Sequence, residues 1–336
     1  MFGNLKDKIS KAKASVRRVI THASDAAGYS HMTHLTTQDF ADRALQLQGR
    51  MASRALPTGT AIEDLSEIEF KVYSQWGEDG IIDWLVQHVP LPDRRFVEFG
   101  VETFREANCR FLMQNRNWKG LVMDGSDANL ASLRQQAYFW MHDLSAKAAF
   151  VTAENINELL TDAGFVGDLA VLSIDLDGND YWVWKAITAV NPAIVICEVN
   201  AILGDTAAVT IPYDASFARF SGHYSGLYFG ASIKALTTLA EQKGYRFVGT
   251  NSNGINAFFV RNDLASSVLH LIRNIRAFPA LHRDSRDQTG QMSYVGGLQR
   301  LALIADCPVV DVVSGKTVRF GDISNPYSDA WLDAMR

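Results

Sequence analysis

Four apolar runs in this chain each finish on a carboxylate, and that repetition constrains the fold more than any other feature. RRFVEFGVE carries Glu98 and turns at Gly100-Val101-Glu102; GLVMDGS ends at Asp124; LAVLSIDLDGND ends at Asp175 and Asp177; AIVICEVN ends at Glu198. Short, nearly continuous apolar runs bounded by turn residues read as buried strands. Helical patterns separate them, so the chain is built of β–α units, which imply a parallel sheet with right-handed crossovers. Parallel strands bring their carboxyl ends to one edge, and in open α/β sheets that edge binds ligands. The acids therefore share one rim.

The sequence predicts strands over residues 95–99, 120–123, 148–152, 169–174 and 193–199. It predicts a helix opened by SQWGEDGIIDWLVQHV (74–89), with apolar positions Ile81, Ile82, Leu85 and Val89, and helices over 103–115, 128–139, 153–162, 181–190 and 231–243; Gly164, Asn191-Pro192 and Gly244 stop the last three. YRFVGT and INAFFVR then form a hairpin around Ser252-Asn253-Gly254. The hairpin ends a mostly parallel sheet with a reversed strand. That is the layout of the Rossmann-like class I methyltransferase fold, whereas a dinucleotide-binding domain would continue in parallel. Three segments follow: an N-terminal helical extension (1–66), the α/β domain (67–262), and a C-terminal α/β tail packed on the core (263–336). In the tail, VVDVVSGKTVRFGD reads as a β-hairpin turning at Ser314-Gly315. Its Gly315-Lys316-Thr317 is no phosphate loop, because position 310 is Val and no helix follows.

Leu5, Ile9, Ala12, Val16 and Val19 fall at helical spacing among Lys6, Lys8, Lys11, Lys13, Arg17 and Arg18. This basic amphipathic helix suits packing on its own domain, a sister subunit in a homo-oligomer, or an anionic membrane surface. A second helix is predicted over 38–55. The balance of 32 Lys and Arg against 37 Asp and Glu, net -5, gives no electrostatic case for nucleic acid. No run of ~18 apolar residues suggests a membrane span. Cys109, Cys197 and Cys307 form neither a zinc pattern nor a disulfide framework, which suits a reducing cytoplasm.

The turn after the first strand lacks G-x-G-x-x-G, and Glu102 would repel a pyrophosphate. A ligand bearing an ammonium and a sulfonium, such as S-adenosylmethionine, suits Glu98 and Gly100 better. Asp124, at the end of the second strand, is placed to accept from ribose hydroxyls. Alternatively, Glu98 pairs with an arginine at its strand end.

YSQWGEDG, FVEFGVE with Asn108 following, W-x-GLVMDGS, LSIDLDGND and a strand ending in Glu198 occur here in the order found in FkbM-type S-adenosylmethionine-dependent methyltransferases. The chain resembles that family over roughly residues 71–262. The resemblance implies O-methylation of sugar or natural-product hydroxyls, hence carbohydrate modification and a small-molecule or glycan acceptor. It implies cofactor contacts at Glu98, Gly100 and the Asp124-Gly125-Ser126 turn, with Gln75 over the cofactor. The family's Asp-x-Glu-Gly is here Asp175-Leu176-Asp177-Gly178, one methylene shorter.

Methyl transfer to a hydroxyl needs an in-line oxygen and a route for its proton. Two arrangements are open. Asp175, Glu198 and Asn200 could hold Mg2+, in a pattern that resembles catechol-type O-methyltransferases; otherwise Asp175 orients the cofactor. Or His223, in the insert SFARFSGHYSGLYFGAS, is the base, with Tyr213, Tyr224 and Tyr228 stacking on a sugar ring. Two alternatives stand beside the methyltransferase: a nicotinamide-dependent oxidoreductase, and a non-catalytic cofactor-binding or scaffold protein acting through its N-terminal helices.

Overall fold

The computed structural model describes residues 40–335. The predicted basic helix and the loop after it lie outside the described residues. Residues 40–50 are the described part of one unit, and residues 51–335 the described part of a second compact unit. The helices are α1 (40–55), α2 (Glu78–His88), α3 (Arg110–Arg116), α4 (Asp127–Arg134), α5 (Ala137–Met141), α6 (Ile156–Asp162), α7 (Asp180–Ala186), α8 (Arg219–Gly222), α9 (Ile233–Lys243), α10 (Asn262–Leu269), α11 (Gln299–Ile304) and α12 (Asp329–Met335). The strands are β1 (Arg95–Phe99), β2 (Lys119–Asp124), β3 (Leu144–Ala148), β4 (Gly167–Ile174), β5 (Val190–Glu198), β6 (Val209–Thr210), β7 (Tyr245–Thr250), β8 (Asn256–Arg261), β9 (Pro308–Asp311) and β10 (Thr317–Arg319).

The main sheet runs β3-β2-β1-β4-β5-β8-β7. β1 to β5 pair in parallel, and β8 is antiparallel to both β5 and β7. Side chains alternate across it, as strand geometry requires. Val97, Phe99, Leu172 and Val195 join Leu160, Trp184, Leu236 and Leu239 in one layer. Phe96, Val171, Ile194 and Ile196 join Ile81, Leu85, Leu112 and Leu130 in the other. Both faces are thus covered, which is why the strands read as continuous apolar runs. The chain moves outward from β1 through β2 to β3, then crosses back to β4 and β5. The order reverses between β1 and β4, and their carboxyl ends flank the crevice where such sheets bind ligands.

Several predicted elements differ in extent. The third strand lies at Leu144–Ala148, earlier than expected; it sits at the sheet edge and lacks a long apolar run. The helix expected over 103–115 begins only at Arg110, because Glu102 and Phe104 adopt positive φ of 47° and 57° and hold the preceding residues in a turn. The helix expected over 128–139 is two short ones, α4 and α5. Trp184 is buried in the core, whereas Trp182 donates from Nε1 to the Ile211 carbonyl and so pins the insert after β5.

A second, antiparallel sheet, β10-β9-β6, ties that insert to the C-terminal segment. Tyr228 adds a bond from its hydroxyl to the Pro308 carbonyl at 2.5 Å. The tail is therefore packed beside the insert that leaves the carboxyl end of β5.

Candidate functional site

The rim begins where β1 stops. Gly100 has φ 69°, and a Cβ there would lie 1.7 Å from the Asp175 carbonyl oxygen. Only glycine lets the turns after β1 and β4 touch. Glu98, next to the end of β1, accepts from the Asn108 and Cys109 amides at 2.7 and 3.0 Å, so it closes the turn and starts α3. Burial pushes its carboxyl up to about 7 against the pull of those two amides. Asp124 accepts from the Glu102 amide at 2.8 Å, the Ser126 amide at 2.8 Å and Asn129 Nδ2 at 3.1 Å. Ser126 Oγ in turn caps α4 by accepting from the Asn129 amide.

The acids of YSQWGEDG are internal braces. Asp79 accepts three amides, from Val72, Tyr73 and Ser74, at 2.6 to 2.8 Å. Glu78 receives the side-chain amides of Asn251 and Asn256 at 2.7 and 3.0 Å. These bonds fix the loop that carries Gln75 and Trp76.

Across the crevice, Asp180 accepts from the Leu176 and Gly178 amides at 2.8 and 3.0 Å and holds the DLDG loop, in which Asp177 has φ 51°. The loop brings carboxylate oxygens of Asp175, Asp177 and Glu198 within 4.8 Å of one another. Arg219, from α8, meets this cluster. Its Nη1 lies 2.8 Å from Asp177 and 3.9 Å from Glu198, its Nη2 3.2 Å from Asp284, and its Cζ 3.9 Å above the Phe229 ring. Burial pushes the Asp175 and Glu198 carboxyls well above the usual range; neighbouring acids add to the rise and Arg219 opposes it. Glu198 Oε2 is buried without a hydrogen-bond partner among the described residues.

Two cavities of about 260 Å³ each open along this rim and share Gln75, Glu198 and Arg219. The first is lined also by Glu98, Gly100, Glu102, Asp175, Asp177 and Asn256. The second is walled by Trp76, Val199, Phe229, His282, Arg283 and Asp284. Of the residues singled out by sequence, Gln75, Glu98, Gly100, Asp175 and Glu198 meet at the first cavity. Asp124, Gly125 and Ser126 stand one residue behind it, joined through the Glu102 amide.

Asn200 and His223 do not line these cavities either. The Asn200 side chain is spent on backbone: Nδ2 donates to the Leu227 and Phe229 carbonyls, both at 2.9 Å, and Oδ1 accepts from the Ile202 amide. It offers no oxygen to an ion, and Asp177 takes its place beside Asp175 and Glu198. His223 lines neither cavity. Its Nδ1 is 2.8 Å from Ser225 Oγ and its ring lies 4.3 Å from that of Tyr224, tilted by 36°, whereas Arg219 of the same segment lines both cavities. Tyr213 and Tyr228 are likewise occupied, with Glu154 and the Pro308 carbonyl.

Sequence reasoning missed Arg219, Trp76, His282 and Asp284. A lone cation in an insert facing a row of acids was a usable signal for Arg219. Nothing in the irregular tail marked His282.

No protein-family model matches the chain, and no curated protein matches it. Solved structures similar to it include an S-adenosylmethionine-dependent methyltransferase from Clostridium acetobutylicum (10% identity, covering 55% of this chain and 90% of that one, TM-score 0.34). Others are the O-methyltransferase from Bacillus cereus in complex with SAH (12%, 65% and 88%, TM-score 0.35) and the N-terminal domain of EvdMO1 in the presence of SAH and D-fucose (12%, 65% and 94%, TM-score 0.36). The chain's own strand order carries the assignment: a mostly parallel seven-stranded sheet with one reversed strand, β8, inserted beside β5 is the Rossmann-like class I methyltransferase fold.

Proposed function

We propose that the chain is an S-adenosylmethionine-dependent O-methyltransferase whose acceptor is a hydroxyl of a sugar, polysaccharide or related natural product. One observation carries the reading. The first cavity presents six carboxyl groups, Glu98, Glu102, Glu106, Asp175, Asp177 and Glu198, against a single arginine among the described residues lining it. Such a wall favours an ammonium and a sulfonium, whose charge would draw the raised Glu98, Asp175 and Glu198 carboxyls back toward ionisation, over a pyrophosphate.

The residues fit the cofactor. Gly100 lets the turns after β1 and β4 close on each other, and both Gly100 and Asp175 line the cavity between them. Asp124 uses three of roughly four acceptor positions on Glu102, Ser126 and Asn129, leaving room for a ribose hydroxyl. The Gly125-Ser126 turn follows Asp124 in the chain, and Gln75 lines the cavity. When bound, the sulfonium supplies an electrophilic methyl group. The chain's task is to align the acceptor oxygen and remove its proton. Calorimetric titration should give saturable binding of S-adenosylmethionine and none of NAD. Binding of NAD alone would instead favour the oxidoreductase, and binding of neither the scaffold.

A divalent ion is a second candidate, because the three clustered carboxylates are oxygen donors. Arg219 already answers their charge, and an ion would have to displace it. The donor set therefore does not fit Mg2+ as it stands. Neither magnesium chloride nor EDTA should change the melting temperature or the S-adenosylmethionine affinity. A magnesium-dependent rise in melting temperature that disappears in Asp177→Asn would restore the metal.

A further inference from the structure

We infer that Arg283 binds a negatively charged substituent, a carboxylate or a phosphate, on the acceptor sugar, so that the second cavity selects anionic acceptors. This deepens the methyltransferase reading above and rests on it. The two adjoining cavities differ in charge. The first carries six carboxyl groups against one arginine among the described residues lining it. The second is lined by two acids, Glu198 and Asp284, and both already face cations. Arg219 lies 3.9 Å from Glu198 and 3.2 Å from Asp284, and His282 Nε2 lies 3.4 Å from Asp284. Arg283 lines the same cavity, is exposed, and makes no hydrogen bond or ion pair among the described residues. Its charge is the one this lining leaves unanswered.

The loop that presents Arg283 is held in place at some cost. Between α10 and α11 the described chain forms no helix and no strand beyond isolated bridges, yet its two arms are tied together. Buried Ser285 accepts the Val295 amide at its Oγ and the Ser293 amide at its carbonyl, both at 2.8 Å. Arg300, 2% exposed, donates to the Ala280 carbonyl at 2.6 Å, the Gly297 carbonyl at 3.2 Å and the His282 carbonyl at 3.5 Å, and so clamps both arms next to Arg283. Burying a guanidinium is expensive unless its donors are met. Here carbonyls meet them and no carboxylate bonds it among the described residues, so its charge adds to that of Arg283. A Cβ at Gly296 would lie 2.7 Å from Arg283 Nε and 3.2 Å from its Cζ, so the guanidinium rests against the opposite arm.

A guanidinium holds a carboxylate or phosphate by charge-assisted hydrogen bonds. The acid cavity disfavours the same charge. An acceptor with its anion at Arg283 therefore presents its other end to Gln75, Glu198 and Arg219, the residues that both cavities share, and the reversed orientation is penalised. Half-buried Trp76 and buried Phe229 offer apolar surface to the sugar ring between those ends.

The test uses the full chain with S-adenosylmethionine and the methyl glycosides of glucose, galactose and mannose, each as the neutral sugar, the 6-uronate and the 6-phosphate, read as S-adenosylhomocysteine formed. An anionic form should exceed its neutral parent in kcat/KM by about 10- to 100-fold, the difference lying in KM. Turnover of the uronates alone assigns a carboxylate, of the phosphates alone a phosphate, and of both the charge itself. Arg283→Gln should raise KM for the anionic forms to that of the neutral ones, and Arg283→Lys should keep part of the preference. Both variants should keep the wild-type melting temperature and S-adenosylmethionine affinity, because Arg283 is exposed. Equal kcat/KM for neutral and anionic forms overturns the inference. So does a preference that survives Arg283→Gln, or a loss of the same size for both forms. A chain that binds S-adenosylmethionine yet turns over none of the set overturns the sugar acceptor and this inference with it. A chain that fails to bind S-adenosylmethionine removes the methyltransferase reading itself.

Discussion

Gly100→Ala should abolish saturable S-adenosylmethionine binding and lower the melting temperature by roughly 5–10 °C, from a loss of about 3–5 kcal/mol. Two effects add. An L-residue at φ 69° costs about 1–2 kcal/mol in the left-handed region. The added Cβ would also stand 1.7 Å from the Asp175 carbonyl oxygen, so the turns after β1 and β4 must part by more than an ångström. Those strands are paired in register through Glu98 and Ser173, which transmits the shift into the core. The same movement displaces Asp175 and the Glu102 amide that holds Asp124. Calorimetry and a thermal melt check both parts. Ala at 100 with wild-type affinity and melting would mean that the two turns do not meet.

The architecture was legible because buried parallel strands write themselves as apolar runs, and because each run here closes on an acid at a turn. Phe96 to Phe99 and Leu169 to Ile174 could hardly be anything else once the helices between them were seen. The edge strand β3 was misplaced for the converse reason: LSAKA is half exposed and carries little pattern. The rim acids were readable as a group, yet not their individual tasks. Glu98, Asp79 and Asp180 look alike in sequence to Asp175 and Glu198. Only the backbone decides that the first three spend their oxygens on nearby amides while the last two face one another. Arg219, His282 and Asp284 come from stretches without periodicity. Their arrival at the rim depends on β6 pairing with β9 and on the Arg300 bonds, contacts between residues far apart in the chain.

Arg219→Leu should destabilise the chain in a pH-dependent way, by about 2–3 kcal/mol near pH 8 and much less near pH 5. Leucine keeps apolar contact with Phe229, so the change removes the charge together with the Nε bond to the Gly226 carbonyl at 2.7 Å, and only the charge makes the loss depend on pH. The partners differ in exposure: the Asp177 and Asp284 side chains are 60% and 43% exposed and Glu198 is 8% exposed. The first two bonds are therefore worth little, and the loss comes mainly from a buried carboxylate left without a cation. The sign follows from the raised carboxyls. Burial, then neighbouring acids, lift Asp175 and Glu198 above their ordinary values of 3.8 and 4.5, while Arg219 pulls them down. A group raised on folding contributes its full stability below its unfolded pKa and loses it as pH climbs through the folded one. Removing Arg219 lifts both folded values further, so the penalty opens only once the pH passes the raised folded values of the native chain and grows beyond them. At low pH the two acids are protonated in either chain and the cation matters least. Urea titrations of both chains at pH 5, 6.5 and 8 measure the gap directly. A gap that stays constant across that range would mean that Arg219 acts through packing alone, and that the rim carries its negative charge without help.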